Sequence, residues 1–176
     1  IEERTQRWNG KSYCDYSHHI MLLSSIPEKV MGQMKEAIQQ GFPTFKLFTT
    51  NIRPRAGDPN LERRMVRMGH MQSVMEIAVA NSGLLFIHAE DDDIVQYMYQ
   101  RMEATNKTEW FYMDQVHNNL SEDLSFKRII DLARWTGAAT YFVHVSAKEG
   151  LSAIQKARSD NMPIYAETLH NYLSFN

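Results

Sequence analysis

Short apolar runs alternate along the chain with longer stretches in which apolar residues recur at helical spacing. That alternation predicts βα units feeding a mostly parallel sheet. Five runs read as strands: 19–23 (HIMLL), 44–48 (TFKLF), 84–88 (LLFIH), 140–144 (TYFVH) and one opening at 163–166 (PIYA). The first helix is expected over 27–40, with Pro27 in its first turn and Gly41 just past its C-cap. A second, from about 61 to 81 and closed by Gly83, carries Met65, Met68, Met75 and Ile77, and follows a loop rich in Pro, Arg, Gly and Asp. Further helices are expected over 92–102, from Ser121 to Trp135, and over about 147–159. The polar stretch 103–119 interrupts the rhythm, yet it embeds Trp110, Phe111 and Tyr112, which fits a functional or subunit-contact loop better than a disordered linker. The last segment, 164–176, reads as a strand followed by an unfinished loop.

Composition narrows the class of protein more than its function. With 176 residues, 43% of them hydrophobic and 23% charged, the chain has the size and balance of one soluble domain, or of part of a larger one, over 1–176. A formal net charge of −2 provides no broad basic field for nucleic acid, so small-molecule chemistry is the better expectation. Cys14 is the only cysteine, which rules out an internal disulfide and a cysteine-based zinc cluster and fits the cytoplasm. No apolar run has the length to span a bilayer, and the polar start Ile1-Glu2-Glu3-Arg4 is no secretory signal. The absence of an initiating methionine and the unfinished end favour a fragment of a longer protein, with a trimmed chain around an intact fold as the alternative.

Three strands end, or nearly end, in a potential metal ligand: Lys46, His88 and His144. In parallel α/β folds the carboxyl ends of strands converge on one face, where sites are built. Histidine is a common ligand for zinc and related metals, whereas a protonated lysine is not. In the alternating pattern of TFKLF, Lys46 faces away from Phe45 and Leu47 on a strand too apolar to be an exposed edge. Burying it is costly unless it is paired or modified. Carbamylation by carbon dioxide would make it an anion with two oxygens, able to bridge two divalent cations. Each histidine alone fits a core residue satisfied by backbone as well as a ligand; the set of three shifts the balance to metal.

Other features have plainer readings. The run Asp91-Asp92-Asp93 is expected to cap a helix rather than bind calcium or magnesium. The eleven methionines read as core filler. Arg53, Arg55, Arg63, Arg64 and Arg67 form a local basic cluster, expected as a solvated face or subunit contact more than an anion site. His18, His19, His70, His117 and His170 read as surface or loop residues, and Glu167 as structural.

Taken together, GFPTFKLFTT (41–50), FIHAED (86–91), YFVHVSA (141–147) and YAETLHNYL (165–173) resemble, in order, the motifs of the dihydropyrimidinase and hydantoinase family of cyclic amidohydrolases. The segment DYSHH (15–19) resembles the stretch that precedes them, so the likeness covers nearly the whole chain. The resemblance implies an α/β fold, part of the (β/α)8 TIM-type barrel of the metal-dependent hydrolase superfamily, with about five central βα units here. It implies two divalent metal ions, zinc first among the candidates, bridged by carboxylated Lys46, with His88 and His144 binding one of them. It also implies hydrolysis of a cyclic amide or ureide, such as a dihydropyrimidine, hydantoin or allantoin-like ring, by a cytoplasmic homotetramer with no membrane or nucleic-acid partner.

The family's His-x-His pair and late metal-associated Asp have no counterpart here and are expected outside the chain. Where the family commonly has a tyrosine five residues past the lysine, this sequence has Asn51, whose amide could still donate to a developing oxyanion but which leaves the ring specificity open. A non-catalytic relative acting as an oligomeric scaffold, like the collapsin-response mediator proteins, is the alternative, and the retained Lys46, His88 and His144 argue against it. An unrelated phosphate-binding βα domain would need a glycine-rich turn that is missing.

Overall fold

A computed structural model of the chain describes residues 1–23, 26–51 and 65–175. Its elements run α1 (Glu2–Trp8), β1 (Ile20–Met21), α2 (Glu28–Gln39), β2 (Thr44–Phe48), α3 (Met68–Asn81), β3 (Leu84–His88), α4 (Asp92–Ala104), α5 (Met113–Val116), α6 (Asn119–Thr136), β4 (Thr140–Phe142), α7 (Lys148–Ser159), β5 (Ile164–Ala166) and α8 (His170–Ser174). A 3-10 turn at Trp110–Tyr112 leads into α5. The five strands are all parallel and lie in the order β1-β2-β3-β4-β5. A doubly wound sheet reverses its order at a switch point; this sheet advances one strand at a time, as successive units of a barrel do.

The helices cover one face of that sheet. α2 packs on α3, α3 on α6 and α6 on α7, forming a continuous layer. Because successive strand residues point to opposite faces, Phe45 and Leu47 of β2, Leu85 and Ile87 of β3, and Phe142 of β4 are sealed beneath the layer with Met71, Val74, Met75, Phe126 and Ile129. Thr44, Lys46 and Phe48 of β2 and Leu84, Phe86 and His88 of β3 point the other way and are only half-buried. On that second face Phe86 stacks on Tyr141 with ring centroids 4.5 Å apart.

β2 and β3 have the expected limits, and Gly41 takes the left-handed conformation (φ 91°) just past the end of α2. Other boundaries differ. β1 is reduced to two residues, and the N-terminal residues 2–8 form a helix. α3 begins only at Met68, so Met65 is not on the helix, and the expected start at 61–64 lies outside the described residues. Val66 is instead fully buried, its N–H donating to the Phe48 carbonyl at 2.7 Å, which returns the chain to the end of β2 before the helix starts. α3 ends through Ser82 at φ 61° rather than through Gly83. Gly83 sits in a tight place, where a Cβ would lie 3.2 Å from Ala78 Cβ and Ile38 Cδ1 and the neighbours would have to give by a few tenths of an ångström. The terminal loop contains the short helix α8. Of the basic cluster, Arg67 is described and exposed, while Arg53, Arg55, Arg63 and Arg64 lie outside the described residues. Among the described residues no helix is long and apolar enough to cross a membrane.

The contact between α6 and α7 positions the loop after β4. Gly150 of α7 faces Phe126 of α6 so closely that an added Cβ would lie 2.2 Å from the ring. That approach lets the buried Glu122 carboxylate reach the start of α7, where Oε1 accepts the N–H groups of Ser146 (3.0 Å) and Ala147 (2.9 Å) and Oε2 accepts the Ser146 hydroxyl (2.6 Å). α7 has no side-chain cap of its own, so a residue of the preceding helix takes that part.

Gly150→Ala is expected to cost about 2 kcal/mol through overpacking. Gly32→Ala, in the exposed interior of α2 with nothing within 4 Å of the new methyl, is expected to gain about 0.5–1 kcal/mol. Denaturant melts of the two variants check the pair of opposite signs. Glu122→Ala is expected to cost about 2 kcal/mol, because it strands two helix-end donors. Amide exchange should quicken first at Ser146 and Ala147, ahead of the α6 core.

Candidate active site

Lys46 projects from the middle of β2 into the half-covered face, and among the described residues its Nζ is buried without a hydrogen-bond partner. It lies 4.9 Å from the centre of the Phe48 ring. Burial pulls its pKa down to about 8, against the opposing charge of Glu167. Glu167 itself accepts the Tyr141 hydroxyl at 3.1 Å.

His88 closes β3, whereas His144 lies two residues past β4 rather than on it. The reason is conformational: His144 adopts φ 43°, a left-handed geometry that ends the ladder and is uncommon for a residue with a Cβ. The turn carries its ring against His88, with Nε2 of His144 2.8 Å from Nδ1 of His88 and the ring planes at 65°. The pKa of His144 is lowered, first by burial and then by the neighbouring His88. Two expected site residues, one closing β3 and one just past β4, therefore meet, and the third, Lys46, lies on the same sheet face as His88.

Two further groups join them that sequence reasoning placed elsewhere or left without a role. Glu90 Oε2 lies 2.7 Å from His88 Nε2, and its Oε1 lies 2.8 Å from Nδ1 of His117. His117 is thus part of the site and not a surface bystander; its Nε2 meets the Tyr99 hydroxyl at 3.0 Å. Burial alone would raise the Glu90 pKa, but the hydrogen bonds and charges of His117 and His88 outweigh it and hold the carboxyl near 2. Thr49, at the end of β2, locks this residue in place: its buried hydroxyl donates to the Glu90 carbonyl (2.7 Å) and accepts the Glu90 N–H (2.9 Å). The signal for Glu90 was its place in FIHAED. For His117 it was the aromatic-rich polar stretch 103–119, which marks a functional segment without singling out a residue.

These side chains open onto a cavity of about 430 Å³, whose walls include His88, Glu90, His117, His144, Ser146 and Tyr172. A second cavity, between α1, α2 and β1, holds none of the strand-end residues Lys46, His88 and His144. Asn51 stands outside the lining of the histidine cavity, beyond the end of β2. Asp92 Oδ1 accepts its N–H at 2.8 Å and Gln96 Nε2 donates to its carbonyl at 2.9 Å, which ties the backbone there to the start of α4. Asp91 caps α4 as expected, accepting the Ile94 N–H at 3.2 Å. Among the described residues no three His, Cys, Asp or Glu side chains gather as a complete metal shell.

No protein-family model matches the chain. Curated proteins do. A D-hydantoinase of Streptomyces coelicolor is 27% identical over 177 aligned residues, which cover 98% of this chain and 36% of that protein. An allantoinase of Bacillus velezensis is 30% identical over 105 residues, covering 60% of this chain and 23% of that protein. Among solved structures, the D-hydantoinase (dihydropyrimidinase) from Thermus sp. superimposes with a TM-score of 0.84 at 27% identity, over 99% of this chain and 37% of the other. The chain spans a little over a third of the length of the D-hydantoinases it matches, and its sheet corresponds to part of their TIM barrel. In sequence and in fold, this chain is a relative of the hydantoinases, dihydropyrimidinases and allantoinases, which are cyclic amidohydrolases.

Proposed function

We propose that the chain is the central part of a metal-dependent hydrolase that opens a cyclic amide or ureide ring, a dihydropyrimidine, hydantoin or allantoin-like compound. The observation that carries this reading is the meeting of His88 Nδ1 and His144 Nε2 at 2.8 Å on the sheet face that also carries Lys46, whose amine is buried without a partner among the described residues. That donor set fits divalent metals. Two imidazole nitrogens suit zinc and its neighbours, and an amine without a partner is the group carbamylation would convert into a bridging anion. Carbamylation needs the neutral amine. With its pKa near 8, Lys46 is about one-tenth neutral at pH 7, against well under a thousandth for an ordinary lysine.

Lys46, as its carbamate, and the two histidines would hold two divalent ions, with the remaining ligands supplied by chain beyond these residues. The chemistry such ions supply when bound is a water acidic enough to deprotonate at neutral pH, and a polarised ring carbonyl. The residues of this chain set the frame for it. Phe48 lies against the Lys46 amine, and Phe86, the neighbour of Lys46 across the ladder, stacks on Tyr141 along the same sheet face. Asn51, whose backbone α4 holds at the end of β2, would by the family resemblance donate its side-chain amide to the oxygen on which charge develops. Among the described residues β1 and β5 are the edges of the sheet, where the further strands of a barrel would pair. The exposed, free Cys14 is in keeping with a cytoplasmic setting, and tetramer formation follows from the family resemblance alone.

A screen of ring opening by the full-length protein tests the proposal. Hydrolysis of at least one of dihydrouracil, hydantoin and allantoin, lost in Lys46→Ala, is expected; a well-folded, metal-loaded protein inert toward all three would leave the scaffold role instead. Asn51→Ala should lower kcat by roughly 10²-fold while leaving metal content unchanged. Isotope-labelled bicarbonate should give a carbamate carbon resonance in the wild type that rises between pH 7 and pH 8.5, as the Lys46 amine loses its proton, and is missing from Lys46→Arg.

A further inference from the structure

We infer that Glu90, His117 and Tyr99 form a positioning relay that fixes the ring orientation and tautomer of His88, presenting its Nδ1 lone pair beside His144 Nε2. The inference rests on the reading of His88 as a metal ligand and extends it to three residues outside the ligand set. The relay crosses three elements: Tyr99 on α4, His117 just past α5, and Glu90 two residues beyond His88. Its links are 3.0 Å from Tyr99 Oη to His117 Nε2, 2.8 Å from His117 Nδ1 to Glu90 Oε1, and 2.7 Å from Glu90 Oε2 to His88 Nε2.

Hydrogen-bond directions follow from the middle outward. Each Glu90 oxygen faces a ring nitrogen, and a carboxylate only accepts, so His117 Nδ1 and His88 Nε2 both carry their protons. A neutral imidazole protonated on one nitrogen offers a lone pair on the other. His88 Nδ1 is therefore the acceptor that faces His144, and His117 Nε2 is the acceptor that receives the Tyr99 hydroxyl. Thr49 fixes the backbone from which the Glu90 carboxylate extends, through both its N–H and its carbonyl, and Thr49 in turn bonds the buried Ser125 hydroxyl at 2.9 Å. Outer-sphere carboxylates of this kind orient a ligating histidine and raise its basicity, and losing them commonly costs 10- to 100-fold in metal affinity. The segment of 3-10 turn and short helix between α4 and α6 thereby gains a purpose: it delivers His117 to Glu90.

The test uses the full-length protein stripped of metal and labelled with nitrogen-15 histidine. Ring nitrogen–proton correlations should show His88 protonated on Nε2 in the wild type. In His117→Phe they should show mixed tautomers, with zinc affinity, measured by chelator competition, reduced by roughly 10- to 100-fold. Tyr99→Phe removes only the outer hydroxyl and should move both readouts the same way by a smaller amount, which keeps the test decisive where His117→Phe does not fold. A wild-type His88 protonated on Nδ1 would overturn the relay. So would unchanged tautomer and zinc affinity in a folded His117→Phe whose companion, His88→Ala, loses zinc; in that case the ligand reading survives alone. If His88→Ala keeps its zinc, the ligand reading fails and the relay with it.

Discussion

A parallel strand has two faces, and in this chain the helices seal only one of them. Every other residue of β2, β3 and β4 is committed to the helix layer, where Phe45, Leu47, Leu85, Ile87 and Phe142 are almost wholly removed from water. The residues between them have no freedom to join that core. A one-residue slip in register would expose the apolar set and bury Lys46 and His88 among helices, at a cost that the core residues together enforce. The placement of the candidate ligands is thus a by-product of hydrophobic burial on the opposite face. The same constraint sets Phe48 and Phe86 beside Lys46, and burial there lowers the pKa of the amine.

Two buried carboxylates then refine what the sheet positions coarsely. Glu122 spans from α6 to the start of α7 and takes up the backbone donors of Ser146 and Ala147, so the turn that holds His144 at a positive φ is braced from behind. Glu90 is divided between two imidazoles. Buried carboxylates persist only where donors surround them, and here the donors belong to the segments that must be kept in register: the end of β3, the approach to α6 and the start of α7. Packing supplies a complementary device at Gly150, where the missing side chain allows Phe126 and Glu122 to come close.

The parts of this arrangement that were legible in the sequence are those governed by local pattern. TFKLF and LLFIH have unbroken strand chemistry and match β2 and β3 residue for residue, and the order of the sheet follows from βα recurrence. TYFVH has equally strong strand chemistry, yet β4 stops at Phe142 because His144 must turn toward His88, a tertiary demand that no local propensity encodes. Met65 has helical spacing with Met68, but burial of Val66 against the end of β2 delays the start of α3. His117 looked like one polar residue among many in 103–119; only the fold brings it to Glu90, 27 positions earlier in the chain. α8 lies among exposed residues, where no apolar periodicity marks five residues as a helix.

The central claim is that Lys46, His88 and His144 act together on divalent metal. Elemental analysis of the full-length wild type beside its Lys46→Ala and His88→Ala variants measures this most directly. The account predicts about two divalent ions per chain in the wild type, the number required for a bridged water-activating pair, and a sharp fall in both variants with the fold retained. A wild type free of bound metal after purification and zinc supplementation, indistinguishable from the two variants, would contradict it.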